Sequence, residues 1–194
     1  GGRGGGLVEP EADEQIRGEA DEFPAHEEQE QAVGDEQAEH RGGEEAEALI
    51  KAGVSFEIVP GISSAFSVPA IAGIPVTHRR IARAVTVVTG HCEDPNESVD
   101  WSAHAKTGAT LVVLMGTANL PKISADLLNA GMNPFTPVAI IHNGTRVDQT
   151  ISRLTLAEAH LAEAQAPSII VIGETAGLDL RDPNTVHELI ASGS

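Results

Sequence analysis

The sequence predicts an α/β domain preceded by an acidic, disordered amino-terminal tail. Helical and strand-like segments alternate from residue 43 to residue 172. Two of the strand-like segments, residues 111–114 and 169–172, are apolar at every position, which is typical of strands covered by helices on both faces of a sheet. The third observation is an abrupt change of charge and apolar content near Arg41.

Most of the negative charge lies at the amino terminus. The formal net charge is −17, and residues 1–48 contain 16 acidic and three basic side chains. Residues 1–40 have few apolar side chains and no sustained period, so they cannot bury enough surface to offset the entropy of ordering. We therefore expect disorder there. Binding to nucleic acid or to an anionic membrane is disfavoured, because both are recognised mainly through Lys and Arg.

The cysteine content and the lack of long apolar runs indicate a cytoplasmic protein. Cys92 is the single cysteine, which excludes an intramolecular disulfide. No run approaches the roughly 18 apolar residues of a membrane span, and no signal-peptide pattern is present. His91 precedes Cys92, but no second pair of ligands has suitable spacing, so no metal site is expected.

Apolar periodicity and turn residues give the order of the elements. Helices are predicted over residues 43–52, 64–72, 100–106, 120–130 and 155–165, the last from the capping-box pattern Thr155-Leu156-Ala157-Glu158. Ser63 or Ser64 is the natural N-cap of the second helix. Strands are predicted over residues 55–59, 84–89, 110–115, 137–141, 149–154 and 168–172, and residues 181–194 are expected to form a tail.

Four junctions between these elements carry small, polar, turn-forming residues. In an open α/β sheet, ligands bind beyond the carboxyl ends of the strands, where such residues allow close approach. Glycine also occurs at many turns for backbone reasons alone, so the pattern leaves a ligand site and a set of simple turns equally open. The junctions are Pro60-Gly61-Ile62-Ser63-Ser64-Ala65, Thr89-Gly90-His91, Met115-Gly116-Thr117 and His142-Asn143-Gly144-Thr145.

The junctions stand in longer motifs that resemble those of the uroporphyrinogen III methyltransferases, within the tetrapyrrole methylase family. The resemblance runs in order from about Arg41 to Leu178. The stretch Gly73-Ile74-Pro75-Val76-Thr77-His78-Arg79 favours this branch over relatives that act on later corrinoids, rRNA or diphthine. Other motifs are Arg41-Gly42-Gly43-Glu44-Glu45-Ala46-Glu47, Val88-Thr89-Gly90-His91, Thr136-Pro137-Val138-Ala139-Ile140, Asn143-Gly144-Thr145 with Gln149, and Pro167-Ser168-Ile169-Ile170-Val171-Ile172-Gly173.

The resemblance implies a tetrapyrrole-methylase-like carboxyl-terminal α/β domain over residues 61–180, with residues 41–60 as the end of a first domain and a linker strand. It also implies S-adenosyl-L-methionine as the cofactor. Ser63, Ser64, Met115 and Gly144 match positions that contact this cofactor in the family. From the residues alone, core packing at a strand end is the favoured interpretation of Met115.

A basic cluster indicates where an anionic substrate would bind. Arg79 and Arg80, with His78 and Arg83 beside them, form the densest positive cluster in the chain. Uroporphyrinogen carries eight carboxylates, and Arg forks suit carboxylates. The resemblance therefore implies substrate binding by Arg79 and Arg80. A solvated basic surface is the alternative interpretation.

The family's catalytic groups belong to its first domain, which begins with a Gly-x-Gly-Pro-Gly-Asp motif. Residues 1–40 of this chain match none of the first-domain motifs, so we expect the catalytic residues to be absent and activity to be low or missing. The function implied by the resemblance is C-methylation of uroporphyrinogen III towards precorrin-2, in siroheme and cobalamin biosynthesis, by a homodimer. The alternative is a non-catalytic binding or dimerisation module, or a truncated gene product, that retains the methylase fold.

Overall fold

The computed structural model describes residue 1, residues 42–91 and residues 99–191. The expected disorder of residues 1–40 and the single cysteine therefore lie outside the described residues. The chain divides into two compact units, Gly1–Ile58 and Val59–Ser194. In the described part of the chain, no helix combines the length and the hydropathy needed to cross a membrane.

The first unit contains helix α1, Gly42–Ala52, which confirms the first predicted helix. Acidic residues lie in its first turn and Lys51 lies in its last, the arrangement that the helix dipole favours. Gly53 ends the helix with a φ of 70°, a conformation that glycine adopts without steric cost. The amide of Gly53 donates to the carbonyl of Ile50 at 3.1 Å, so one of the last carbonyls of the helix is satisfied.

The predicted strand over residues 55–59 is wrong. Residues 54–60 have no regular secondary structure, and Ile58 and Val59 are 77% and 78% exposed. A strand needs a neighbour to receive its backbone hydrogen bonds, and none of the described strands pairs with this segment. Apolar residues between turn signals are therefore not sufficient for a strand here.

The second unit is built on a five-stranded mixed sheet. The strands are β1 (Val85–Thr89), β2 (Thr110–Leu114), β3 (Pro137–His142), β4 (Thr150–Thr155) and β5 (Ser168–Ile172), in the spatial order β1-β2-β5-β3-β4. β1 and β2 are parallel, whereas β5 is antiparallel to both β2 and β3, and β4 is antiparallel to β3. It follows that β1, β2 and β3 run in the same direction and end at the same edge of the sheet, called the carboxyl edge below.

Helices cover both faces of the sheet, as the apolar strands predicted. α3 (Trp101–Ala105) and α4 (Leu120–Asn129) pack on one face and α2 (Ser64–Ile71) packs on the other, while α5 (Pro183–Ala191) is the last described helix. The buried apolar residues form two clusters, one on each face of the sheet. Neighbouring residues of β3 alternate between them, since Ile140 belongs to one cluster and Ala139 to the other. One cluster includes Trp101, Leu111, Val113, Leu120, Ile123, Leu127, Val138 and Ile170, and the other includes Val68, Ala72, Ile74, Ile141, Val171 and Ala176. The predicted α/β class is confirmed.

The predicted helix over residues 155–165 is wrong, although one of the two bonds of its capping box forms. The amide and the hydroxyl of Thr155 bond to Glu158 Oε2 at 2.9 and 2.7 Å, but only a single 3-10 turn, Ala159–Leu161, follows. From Ala162, whose backbone is extended, the chain has no helix before β5. β4 and β5 run in the same direction, so their connection must return along the sheet. Extended backbone covers this distance at about 3.3 Å per residue, against 1.5 Å in a helix.

The expected tail, residues 181–194, contains helix α5. Asp182 caps its start, since Asp182 Oδ1 accepts from the amide of Asn184 at 3.0 Å. Pro183 stands at the first helical position, where a missing N–H costs nothing. Asp182 followed by Pro183 is the sequence pattern that indicates the start of this helix.

Candidate functional site

Glycine-containing turns follow three parallel strands at the carboxyl edge. Gly90 follows β1, Met115-Gly116 follows β2, and Asn143-Gly144 follows β3. In open α/β sheets, ligands bind beyond this edge. The sheet topology therefore places three of the four predicted junctions where a ligand can reach them.

The turns after β1 and β2 touch each other through glycine. A Cβ added to Gly90 would lie 2.5 Å from Gly116 Cα and 2.8 Å from the side chain of Val113. A Cβ on Gly116 would lie 2.6 Å from the same Val113 methyl carbon. Only glycine allows the two backbones to approach this closely, so these glycines have a packing role at the edge.

Met115 has a left-handed backbone and an exposed side chain. Its φ is 51°, and the residue is 55% exposed. A left-handed conformation in a non-glycine residue costs on the order of 1–3 kcal/mol and persists only where the surroundings impose it. The interpretation of Met115 as buried core packing is therefore not supported, because its side chain is accessible at the carboxyl edge.

The turn after β3 is held by side-chain hydrogen bonds. Asn143 Nδ2 donates to Asp148 Oδ2 at 2.7 Å, and the amide of Thr145 donates to Gln149 Oε1 at 2.8 Å. Asn143 and Thr145 have φ values of 48° and 71°. Together with Met115, they are the non-glycine residues with positive φ among those described, so backbone strain is concentrated at the carboxyl edge.

Helix α2 begins at this edge as well. Gly144 lies directly against the side chain of Val68 in α2. The other end of the helix is followed by Gly73, which lies against Asp179 beyond the opposite end of the sheet. The start of α2 therefore points towards the turn after β3. Ser63 caps the helix by accepting from the amide of Ala65 at 3.3 Å.

The structure thus places Ser63, Ser64, Met115 and Gly144 towards the same edge of the sheet, although they are distant in sequence. Ser63 and Ser64 are exposed, so their polar groups face solvent. The edge gathers hydroxyl groups, a helix start and a thioether. Such groups can hydrogen-bond to a polar ligand and pack against a flat ring.

Arg79 and Arg80 lie elsewhere. They occupy the turn between His78 and Ala82, which precedes β1 and so stands at the opposite edge. Arg80 Nη2 donates to the carbonyl of Leu189 in α5 at 3.2 Å. The five residues of β1, about 16 Å of extended chain, separate this turn from the carboxyl edge. The structure does not bring these arginines together with the four cofactor candidates.

An open groove of about 610 Å³ runs along one face of β3 and β4, and sequence reasoning did not find it. Its lining includes Ile140, Leu154 and His142, but none of the four cofactor candidates. His142 Nδ1 lies 3.1 Å from the carbonyl oxygen of Gln165 and 3.3 Å from the hydroxyl of Ser168, so the ring is held against the start of β5. The groove depends on the pairing of β3 with β4, which periodicity does not predict.

One carboxylate in the described chain has a strongly altered acidity. Arg181 donates to both oxygens of Asp179, at 2.8 and 2.7 Å, and this lowers the pKa of Asp179 to about 2. Arg181 Nη1 also donates to the carbonyl of Ile71, the last residue of α2, at 3.5 Å. This pair lies away from the carboxyl edge and fastens the end of α2, so its role is structural. The described residues contain no group of three His, Cys, Asp or Glu side chains that could hold a metal ion.

Residues 17–160 match the family Tetrapyrrole (Corrin/Porphyrin) Methylases, which is more than half of the chain. The chain belongs to this family. The resemblance carried by the motifs is therefore confirmed. The matched range begins 24 residues ahead of Arg41, at residue 17.

Two relatives show how the chain compares with longer tetrapyrrole methylases. It is 49% identical over 139 residues to an S-adenosyl-L-methionine-dependent uroporphyrinogen III methyltransferase of Methanosarcina barkeri. The aligned region covers 68% of this chain and 54% of the relative. It is 46% identical over 134 residues to siroheme synthase 1 of Yersinia enterocolitica. Here the aligned region covers 68% of this chain and 28% of the relative. The chain thus spans about half or less of these two relatives.

A solved structure shares the fold. The uroporphyrin-III C-methyltransferase of Thermus thermophilus, crystallised with S-adenosyl homocysteine, has a TM-score of 0.63 and 31% sequence identity to this chain. The similarity covers 73% of this chain and 63% of the Thermus protein. The mixed α/β sheet described above is thus a tetrapyrrole methylase fold.

Proposed function

We propose that this chain forms one wall of an S-adenosyl-L-methionine site in a methyltransferase that acts on uroporphyrinogen III. The observation that carries the proposal is the convergence of Ser63, Ser64, Met115 and Gly144 on the carboxyl edge, in backbone conformations that are strained at and beside two of them. The names of the Methanosarcina and Thermus relatives support the same cofactor and the same substrate.

Each of the four residues has a chemical part in this site. Ser63 caps the start of α2, and the exposed Ser64 hydroxyl together with the positive end of the helix dipole suits the carboxylate of the methionyl group. The thioether of Met115 is polarizable and packs against the flat adenine ring. Gly144, without a side chain, lets the turn after β3 pack directly against Val68 of α2, so the backbone of this turn and the start of α2 can serve one ligand.

The proposed reaction moves a methyl group from the sulfonium of the cofactor to a pyrrole carbon. The carbon–sulfur bond breaks, a carbon–carbon bond forms, and the cofactor becomes a neutral thioether. A base then removes a proton from elsewhere on the methylated tetrapyrrole, which restores its neutral ring system. The residues of this chain would bind and orient the cofactor, and orientation is a large part of such catalysis. We further propose that the methylated product leads towards siroheme and cobalamin, and that the protein is a homodimer.

Binding can be tested on the chain itself, because it has only two methionines, Met115 and Met132. Methyl-¹³C-methionine labelling gives one NMR signal for each, and Met115→Leu assigns them. S-adenosyl-L-methionine is titrated to about 20 mM at constant ionic strength. Single contacts contribute roughly 0.5–1.5 kcal/mol each, whereas fixing a ligand costs about 4 kcal/mol or more, so the expected affinity is millimolar or weaker.

The expected result is a concentration-dependent shift of the Met115 signal while the Met132 signal stays in place. Met132 follows α4, and its amide bonds to Leu127, so it reports on non-specific effects. Equal movement of both signals, or no movement of Met115 at about 20 mM, would overturn the proposed cofactor site.

A further inference from the structure

The side chain of Asn119 does not cap helix α4, although its position at the start of the helix predicts a cap. Asn119 is the N-cap residue of α4, and an asparagine there normally accepts a hydrogen bond from the first turn of the helix. No such bond forms in α4. Instead, Asn119 Nδ2 donates to the carbonyl of Gly90 at 2.8 Å. The side chain of Asn119 therefore bonds to the turn after β1 and not to its own helix.

Gly90 uses both of its backbone groups on the segment that contains Met115. Its amide donates to the carbonyl of Leu114 at 2.7 Å, and its carbonyl accepts from Asn119. These two partners stand on either side of residues 115–118. The amide of Asn119 also donates to the carbonyl of Gly116 at 3.1 Å, which closes the turn. The turn after β2 is therefore fixed at both ends by Gly90, the residue that directly follows the neighbouring strand β1.

This double attachment accounts for the strained backbone of Met115. The close approach of Gly90 to Gly116 leaves no room for the turn to shift towards β1. With Leu114 and Asn119 both held, Met115 is kept at a φ of 51° with its side chain exposed. Strained conformations persist only where neighbouring contacts impose them. Gly116 also lies against Val113 and Ile170, and Asn119 joins the far end of the turn to Gly90.

We propose that Asn119, acting through Gly90, is a positioning residue that holds the side chain of Met115 at the carboxyl edge for cofactor binding. The inference rests on the proposed function for its purpose. The claim that the bond from Asn119 to Gly90 fixes the Met115 side chain concerns the ligand-free chain, and it is tested separately.

The decisive variant is Asn119→Asp. Aspartate is as good an N-cap as asparagine, so helix α4 keeps its start. However, a carboxylate has no hydrogen to donate to the carbonyl of Gly90, and the attachment is lost. Asn133→Ala is the matched control, because it also removes one side chain-to-backbone hydrogen bond, from the amide of Phe135 to Asn133 Oδ1 at 2.9 Å. Asn133 lies in the turn before β3, at the opposite edge of the sheet.

The methyl signals of Met115 and Met132 are recorded for each variant, first without ligand and then with S-adenosyl-L-methionine. In Asn119→Asp, the ligand-free Met115 signal should move or broaden, and the apparent affinity should fall about fivefold, the effect of one lost hydrogen bond. The urea midpoint should change no more than in Asn133→Ala, in which the Met115 signal should stay unchanged.

An unaltered ligand-free Met115 signal in Asn119→Asp would overturn the inference, whether or not the ligand binds. An affinity equal to that of the unsubstituted chain would also overturn it. Failure of the unsubstituted chain to show any ligand-dependent shift would instead count against the proposed function, while the ligand-free signals would still decide the role of Asn119.

Discussion

Gly144 and Val68 are in direct contact, which joins the turn after β3 to helix α2. A Cβ on Gly144 would overlap the side chain of Val68, approaching one of its methyl carbons to 2.7 Å. Val68 is itself buried and belongs to the apolar cluster on that face of the sheet. The contact thus sets the distance between two of the predicted cofactor-binding segments.

Gly144→Ala should therefore destabilise the chain by about 1–3 kcal/mol, the usual cost of overpacking. The free energy of unfolding in urea measures this effect. Gly61→Ala is the control, because nothing lies within 4 Å of a Cβ there, and its effect should stay within about 0.5 kcal/mol. The double variant Gly144→Ala/Val68→Ala should be less unstable than the sum of its single variants, since each change relieves the other. Strict additivity would show that the contact is unimportant.

The two serines at the start of α2 should have different roles, with Ser63 stabilising the helix and Ser64 binding the cofactor. Ser63→Ala removes the N-cap bond and should cost about 1 kcal/mol of stability. Ser64→Ala should leave the free energy of unfolding unchanged within about 0.5 kcal/mol, because Ser64 is exposed. Only Ser64→Ala should weaken the ligand-dependent shift of Met115 without loss of stability. A Ser64→Ala chain that binds as well as the unsubstituted one would remove Ser64 from the site.

Stability should depend on pH through Asp179. Hydrogen bonds from Arg181 lower the pKa of Asp179 to about 2 from 3.8, so the pair stabilises the folded chain above about pH 4 and loses this effect as the pH falls towards 2. Asp179→Asn should remove about 1 kcal/mol at pH 6 after allowance for solvent screening, and much less at pH 2.

Urea unfolding of both chains at the two pH values measures the Asp179 effect. Asp126→Asn is the comparison, since it breaks the exposed pair of Asp126 with Lys122 on α4 and should cost less than about 0.5 kcal/mol. An Asp179→Asn effect of equal size at pH 6 and pH 2 would contradict the assigned cause.

Substitution of the basic turn should leave cofactor binding intact. Arg79→Ala and Arg80→Ala remove charges about one strand length from the carboxyl edge, so the ligand-dependent shift of Met115 should not change. Arg80→Ala should increase hydrogen exchange near the end of α5, because it removes the bond to Leu189. A reduced Met115 shift in either variant would place these arginines in the cofactor site. Substrate binding by Arg79 and Arg80 stays a separate prediction from the resemblance.

The purified chain should methylate uroporphyrinogen III very slowly or not at all. The 194 residues contain no Gly-x-Gly-Pro-Gly-Asp motif, and the resemblance assigns the catalytic groups to the domain that carries it. Loss of a general base alone costs roughly 100- to 10,000-fold in rate. Labelled cofactor and reduced substrate test this directly, with an intact relative assayed in parallel. Label transfer at the rate of the intact relative would show that other residues of this chain supply the base, and the alternative of a non-catalytic module would then fall.

Local patterns predicted most elements of the second unit. The apolar stripe of Leu120, Ile123 and Leu127 became the buried face of α4, and the all-apolar residues of β2 and β5 became central strands. These predictions succeed because burial on one or both faces leaves a period in the sequence itself. Segments 55–59 and 155–165 carried similar local signals, but both predictions failed. None of the described strands pairs with the first segment, and the second has to return along the sheet.

The sequence by itself determined the α/β class, the order of most helices and strands, and the motifs that identify the tetrapyrrole methylase family. Only the tertiary structure decided which strands are neighbours, and it therefore decided that Met115 and Gly144 share an edge while Arg79 and Arg80 do not. Likewise, no local rule diverts Asn119 from its helix to Gly90, 29 residues earlier. Periodicity and capping act over a few residues, whereas strand pairing and loop contacts depend on groups that meet only when the whole sheet has formed.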